Sequence, residues 1–241
     1  MVTATLPRQD LWVLVPPGWI EFSAFTSDEA ATRWFDRLLA KTPDLFDEQT
    51  RVALRATYAQ VRSQIPAGLV DSAGALITTL LDDSVTMWQF SMRVLDLPRS
   101  GDINPMAVVE RFLESEQGRS EVGDDDIVES FQTEDGRDGI AIHTTATAVD
   151  DGGQLVANVP GTDPAALGVV YAAVRLHRQE GSEADRLAVV TGIAPNVEQR
   201  LPMSIIAAQL TLSAELRDEG ADPPEGSIDV DTTGRFDKTA G

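Results

Sequence analysis

Large apolar side chains alternate with polar ones along several segments beyond residue 68, which is the spacing of half-buried β-strands. In "SVTMWQFSMRVLDL" (84–97) the polar residues Gln89, Ser91 and Arg93 fall on one side of the strand. The apolar residues Trp88, Phe90, Met92 and Val94 fall on the other. Runs of this type, bounded by turn residues, predict strands near 69–81, 85–97, 127–134, 139–149, 166–178 and 186–193. Such strands are typical of an antiparallel sheet with one wetter face.

The segment "ALGVVYAAVRLHRQ" (166–179) indicates which side chains the wetter face would carry. One face of this strand is small and aliphatic. The other face carries Tyr171, Arg175 and His177, whose polar groups are suited to anchor a ligand or a partner. These three residues are therefore candidate contact residues.

Helical spacing of apolar residues predicts four helices. "SDEAATRWFDRLLAK" (27–41) has Ser27 as its N-cap, and "DEQTRVALRATYAQVRSQI" (47–65) ends before Pro66. A third helix is predicted over 104–117, and a last one over 202–217. The apolar area of the last helix comes from Ile205, Ile206, Leu210 and Leu212.

The N-terminal segment "WVLVPPGWIEF" (12–22) places two tryptophans on either side of a Pro-Pro-Gly turn. Pro16 and Pro17 cannot donate to a strand ladder, so they indicate a turn between two short strands. Apolar residues on both faces of 11–15 predict a central strand that is covered on both sides. Two alternatives stay open for Trp19: it closes the core, or it contacts a partner.

Turn residues and composition predict how the chain is divided. The Asp-Gly pairs in "TEDGRDG" (133–139) and "VDDGGQL" (149–155) favour type I′ hairpin turns. Residues 1–217 are expected to form one α+β domain, with the helical pair 28–65 as an insertion or a flanking layer. The acidic segment 218–241 is poor in aromatic residues, and we expect it to be a disordered tail.

Charge is the strongest global signal, because 39 acidic and 19 basic residues give the 241-residue chain a net charge of −20. Such a chain repels nucleic acid and anionic lipid surfaces, so nucleic-acid binding is disfavoured. The apolar run at the N-terminus is too short and too broken by proline to span a bilayer or to act as a signal segment. With no cysteine in the chain, the expected location is the cytoplasm.

The sequence contains none of the common catalytic or cofactor motifs. It has no Gly-x-Ser-x-Gly elbow, no dinucleotide-binding glycine motif and no phosphate-binding loop. The absence of cysteine excludes thiolate metal sites, and His143 and His177 each stand alone in a predicted strand. We therefore expect no catalytic residue, no cofactor and no metal site.

The order of elements resembles a known family. A strand ending in "PPGW" (16–19), then "LAVVTGIAPN" (187–196) and the helix "MSIIAAQLTLSAEL" (203–216) resemble Mog1/PsbP-like proteins, including the actinobacterial LpqN type. The resemblance implies a curved antiparallel sheet of about six strands flanked by helices, partner binding, and no shared enzymatic activity. Proteins with this texture are similar to small actinobacterial proteins, some of them associated with type VII secretion.

Three functional hypotheses follow from the sequence. The first is a non-catalytic accessory protein that binds another protein through a sheet edge or through an apolar patch near Trp19. The second is a small-molecule-binding or hydrolytic pocket between sheet and helices, with Tyr171, Arg175 and His177 as polar anchors. The third is a self-assembling structural subunit. The sequence does not distinguish oligomeric states.

Overall fold

The computed structural model describes residues 9–23, 25, 27–41, 46–65, 72–79, 85–97, 106–107, 126–147, 166–176 and 185–218. Three predictions lie wholly or almost wholly outside these residues: the helix over 104–117, of which only 106–107 are described, the turn over 149–155, and the disordered tail from residue 218. His177 also lies outside them.

The chain forms an α+β fold, as the alternation and the helical spacing predict. The helices whose bounds lie within the described residues are α1 (Asp28–Ala40), α2 (Glu48–Gln64) and α3 (Arg200–Ser213), and α3 follows a short 3-10 turn at Val197–Gln199. The strands are β1 (Gln9–Trp12), β2 (Trp19–Glu21), β3 (Ser72–Thr79), β4 (Val85–Leu97), β5 (Ile127–Gln132), β6 (Asp138–Thr147), β7 (Ala166–Arg175), β8 (Asp185–Ala194) and β9 (Glu215–Asp218). The six strands predicted beyond residue 68 are confirmed, with small shifts at their ends.

The main sheet has seven strands in the order β2-β3-β4-β8-β7-β6-β5, and every pairing is antiparallel. It exceeds the expected six because the short strand β2 pairs with β3. The sheet is open, with β2 at one edge and β5 at the other among the described strands.

Strand β1 lies outside the main sheet, so the prediction of a central strand was wrong. It pairs with β9 in a separate two-stranded ribbon, in which Leu11 is opposite Leu216. Leu11 and Val13 pack on the core, whereas Leu14 is exposed. Apolar residues on both faces of 11–15 therefore do not indicate two covered faces.

The last helix is shorter than predicted. It ends at Ser213, and Ala214 has an extended backbone (ψ 124°) that leads into β9. Residues 215–218 pair with β1, which gives their backbone groups partners, and this extended path places Leu216 against the core while Glu215 is exposed. The prediction of a helix to residue 217 was wrong for this reason.

Helix α3 packs on one face of the sheet and the pair α1–α2 on the other. Met203, Ala207 and Leu210 of α3 are fully buried against residues such as Val170 and Val190. On the other face, α1 and α2 cover Ala73 and Ala75 of β3. Both faces of β7 are buried, so the expectation of a wetter face was wrong at this strand.

The two described turns have glycine where the backbone requires it. The Trp19 N–H donates to the Pro16 carbonyl at 3.2 Å, and Gly18 has φ +86°, so 16–19 forms the predicted turn. In the β5–β6 hairpin the Gly136 N–H donates to the Thr133 carbonyl at 2.9 Å, and Gly136 has φ +83°. Gly136 is thus the fourth residue of this turn and not a central one, so the type I′ prediction for 133–139 was wrong.

Arg137 holds the hairpin against the end of α3. Its Nη1 donates to the Ala214 carbonyl at 3.2 Å, and its Nη2 donates to the Leu212 carbonyl at 3.1 Å. Its Nε donates to Asp135 at 2.9 Å. Carbonyl groups at a helix C-terminus lack intrahelical partners and carry partial negative charge, so a guanidinium is well suited to this position.

Replacement of Arg137 by alanine should lower the free energy of unfolding by about 1–3 kcal/mol, because two carbonyl groups and a carboxylate lose their charged donor. Urea denaturation measures the change, and the exposed Arg33→Ala on α1 serves as the control. Arg137→Lys should restore only part of the stability, because one ammonium group does not span the three acceptors. Equal urea midpoints for Arg137→Ala and Arg33→Ala would show that the hydrogen bonds of Arg137 do not stabilise the fold.

Tyr58 connects α2 to β2. Its hydroxyl donates to the Glu21 carbonyl at 2.8 Å, and its ring stacks on Phe35 with centroids 4.2 Å apart. Burial raises the pKa of Tyr58 well above its usual value of 10.0. Above about pH 10 the phenol ionises in the unfolded chain but stays protonated in the folded one, so the folded state loses stability as the pH rises.

Tyr58→Phe should be less stable than the parent chain at neutral pH, because the Glu21 carbonyl loses its donor. This difference should shrink as the pH rises from about 9 to about 11, because only the parent chain carries the buried phenol. Urea midpoints of both proteins at a series of pH values test this. A constant difference across that range would mean that Tyr58 is accessible to solvent.

Candidate functional site

Trp19 lies in the core. Only 6% of its surface is exposed, and its ring stacks on Phe90 with centroids 5.7 Å apart. The ring lies across Gly74, where an added Cβ would come within 2.2 Å of it. The indole Nε1 donates to Oε2 of the buried Glu21 at 2.9 Å, so the polar end of the ring is also satisfied. Of the two alternatives left by the sequence, the structure favours core closure.

The Glu21 carboxylate is buried but has several donors. Its Oε1 accepts from the Ser23 N–H at 2.9 Å and from the Ser23 hydroxyl at 2.8 Å. Buried carboxylates need such partners, since burial without them is costly. These bonds tie the end of β2 together, and they leave Glu21 committed to the fold.

The other predicted contact residues do not join Trp19 in one site. Tyr171 is only 2% exposed and Arg175 is half-buried, both on the face of the sheet opposite Trp19. Four strand spacings separate β2 from β7, which is about 19 Å. His177 lies beyond the part of the chain that the structure describes, so its role stays a prediction.

An open cavity of about 470 Å³ lies at the turn end of the β5–β6 hairpin. Its lining includes Ser130, Gln132, Asp138 and Ile140, and does not include Tyr171 or Arg175. Two polar side chains of the cavity lining already bind each other, because the Gln132 amide donates to Asp138 at 3.2 Å. No group of three or more possible metal ligands occurs within the described segments.

A buried histidine lies beside the outermost strand β5. His143 on β6 is fully buried, and its Nε2 is 3.1 Å from Oε2 of the largely exposed Glu129. Its Nδ1 is buried with no hydrogen-bond partner among the described residues. With Nε2 protonated, the imidazole donates to Glu129 and fixes the direction of that carboxylate.

The outer surface of α3 carries an apolar stripe. Leu201, Ile205 and Leu212 are 59%, 61% and 40% exposed, and their spacing places them on one side of the helix. Leu14 is also exposed, and its N–H donates to the Ser213 hydroxyl at 3.0 Å, which brings it beside the end of α3. We call these four residues the α3 patch. The helix contains no ionisable side chain after Arg200.

Sequence reasoning missed the α3 patch, because it counted Ile205 and Leu212 with Ile206 and Leu210 as the apolar area of the helix and did not separate an exposed side from a buried one. Apolar residues occur on nearly every side of α3, so the period of 3.6 does not select one face. The missing charge between Leu201 and Ser213 was the available signal. A solvated helix normally carries charged residues on its outer face.

No family model and no curated protein matches this chain. Among solved structures the chain is similar to LpqN of Mycobacterium tuberculosis, which is described as involved in cell envelope biogenesis. The TM-score is 0.42 and the identity 9%, over 89% of this chain and 87% of LpqN. The LpqN-type resemblance is thus supported only as a weak structural likeness, from which nothing about function follows. The Mog1/PsbP-like label stays a prediction.

The described structure shows the class of the fold but no family. In the described residues the chain has an α+β fold with an open antiparallel sheet, α3 on one face and the pair α1–α2 on the other. No described helix has the length and hydropathy needed to cross a membrane.

Trp19→Ala should lower the free energy of unfolding by about 3–5 kcal/mol, because a large buried ring leaves a cavity over Gly74. Trp19→Phe should cost less, about 1–3 kcal/mol, because a smaller aromatic ring still fills part of the space while the donor to Glu21 is lost. Chemical denaturation measures both values. If Trp19→Ala cost under about 1 kcal/mol, the indole would have to be a surface contact.

Proposed function

We propose that this protein is a non-catalytic protein-binding module whose partner docks on the α3 patch. The observation that carries the proposal is the exposed apolar stripe of Leu201, Ile205 and Leu212 on a helix whose opposite side is fully buried. Large exposed apolar side chains that share one side of a helix are typical of docking sites. Burying such a side chain contributes roughly 1.5–3 kcal/mol.

Charge indicates the chemistry of the partner. The α3 patch is uncharged, whereas Glu198 and Glu215 are exposed near its two ends and the chain as a whole carries −20. A partner with an apolar contact face framed by lysine or arginine residues matches this pattern. A second copy of the chain matches it less well, because the acidic surfaces would repel each other.

The non-catalytic part of the proposal is supported by how the fold uses its polar groups. Trp19 and Glu21 bind each other, Gln132 binds Asp138, and His143 binds Glu129. In each of these pairs the two polar groups are partners of each other within the fold, so the pair has a structural role. An accessory role in an actinobacterial system and a cytoplasmic location stay predictions from the sequence.

Photocrosslinking in native cells tests the proposal. A photoreactive residue at Ile205 should give a discrete crosslinked product, whereas the same residue at the exposed Val52 of α2 should not. Adding Leu201→Asp should reduce that product at least about tenfold, because a buried carboxylate opposes docking.

Because the substituted positions are exposed, the experiment separates a loss of docking from a loss of folding. Leu201→Asp should leave the urea midpoint nearly unchanged, because Leu201 contributes little to the core. Equal labelling at positions 205 and 52, or a product insensitive to Leu201→Asp, would exclude the α3 patch as the docking surface. A product made only of two copies of this chain would favour self-assembly instead.

A further inference from the structure

Strand β5 leaves one side of its backbone unpaired among the described strands. It is the outermost strand of the sheet beyond β6, and residues 127–130 are exposed. The Thr133 N–H donates to the Arg137 carbonyl at 2.8 Å, so this pair is a hydrogen-bonded one. In an antiparallel ladder such pairs alternate.

The alternation identifies the free backbone groups. Phe131, Glu129 and Ile127 bond to β6, whereas Val128, Ser130 and Gln132 direct their N–H and C=O groups away from it. The hydrogen bonding between β7 and β8 leads to the same assignment. The Leu176 N–H donates to the Arg186 carbonyl at 2.9 Å, and counting from this pair through β7 and β6 leads to the same three residues of β5.

The side chains of β5 leave this edge open to a strand of suitable charge. Ile127 and Val128 are 43% and 38% exposed, one on each face of the strand. Residues 127–132 contain no proline and no lysine, which are the usual means of blocking an edge strand. The edge is therefore suited to accept a further strand.

The charge around the edge selects the occupant. Residues 126–138 contain five acidic side chains and one basic side chain, Arg137, which binds Asp135 and the end of α3. The buried His143 orients the exposed Glu129 carboxylate at the edge itself. A strand that carries lysine or arginine would find complementary charge here, whereas a second copy of β5 would bring another Glu129.

We propose that β5 is a strand-addition site for an extended basic segment of a partner protein. The backbone groups of Val128, Ser130 and Gln132 provide the hydrogen bonds, and Glu129 pairs with a lysine or arginine of the added strand. The site is separate from the α3 patch and does not depend on it.

The test uses the full chain and two ten-residue peptides, one alternating lysine with valine and one alternating glutamate with valine. The basic peptide should slow amide hydrogen exchange of Val128, Ser130 and Gln132, and leave Phe131 and Glu129 nearly unchanged. The acidic peptide should have no effect. Raising the salt concentration from about 0.05 M to about 0.5 M should weaken the basic peptide's binding, because the charges are exposed.

Ser130→Pro and Ser130→Ala form a matched pair of variants. The proline removes an N–H that the fold does not use and should weaken peptide binding at least tenfold, whereas the alanine keeps the N–H and should stay within twofold. If Ser130→Pro fails to fold, Glu129→Lys serves instead, and it should exchange the preference from the basic to the acidic peptide.

Three outcomes would overturn the proposal. The first is that the basic peptide protects none of the three amides. The second is that the three amides are already protected without peptide in a dimer detected by light scattering. The third is that Ser130→Pro and Ser130→Ala bind alike. Peptide binding that survives Ile205→Asp separates this site from the α3 patch, so either proposal can fail alone.

Discussion

The close contact between α3 and the centre of the sheet is the constraint on which the rest of the structure depends. It requires positions without side chains: a Cβ on Gly168 would lie 2.8 Å from the Asn196 carbonyl oxygen, and one on Gly192 would lie 3.3 Å from the Met203 sulfur. Small residues near one end of β7 and β8, such as Gly168, Gly192 and Ala194, therefore let the start of α3 pack directly on the sheet backbone. Larger residues there would lift α3 and open the core beneath Met203 and Leu210.

Both ends of α3 are held as well, which fixes its rotation. Just before the helix, the Gln199 side-chain oxygen accepts from the Thr86 hydroxyl and from Trp88 Nε1, each at 2.9 Å. At the other end, Arg137 binds the last carbonyl groups. A helix held in this way cannot rotate to bury Ile205, so its outer stripe stays exposed. The α3 patch is thus a consequence of how firmly the opposite side is packed.

Local patterns in the sequence predicted much of the fold, and the predictions that were wrong share one cause. Alternation identified the strands, and Ser27 caps α1 as expected, because these signals depend on neighbouring residues. Burial of Tyr171 and exposure of Ile205 depend on which layer covers each face, and periodicity does not contain that information. The β1–β9 pairing joins residues more than 200 positions apart, and the Trp19–Glu21 bond depends on the buried edge of β2. The first has no local signal. The i, i+2 spacing of Trp19 and Glu21 places both side chains on one face of a strand, but it does not show that this face is buried.

The acidic charge opposes self-association through the exposed apolar stripe of α3 and through the edge of β5. At physiological salt the Debye length is about 8 Å, so repulsion between two copies acts only when their surfaces nearly touch. That is the separation at which two edges would begin to pair. Edge strands elsewhere are blocked by lysine, proline or a bulge, whereas β5 has Glu129, held by the buried His143. A negative charge in that role repels like-charged chains and attracts basic ones, so it selects among partners where a proline would exclude them all.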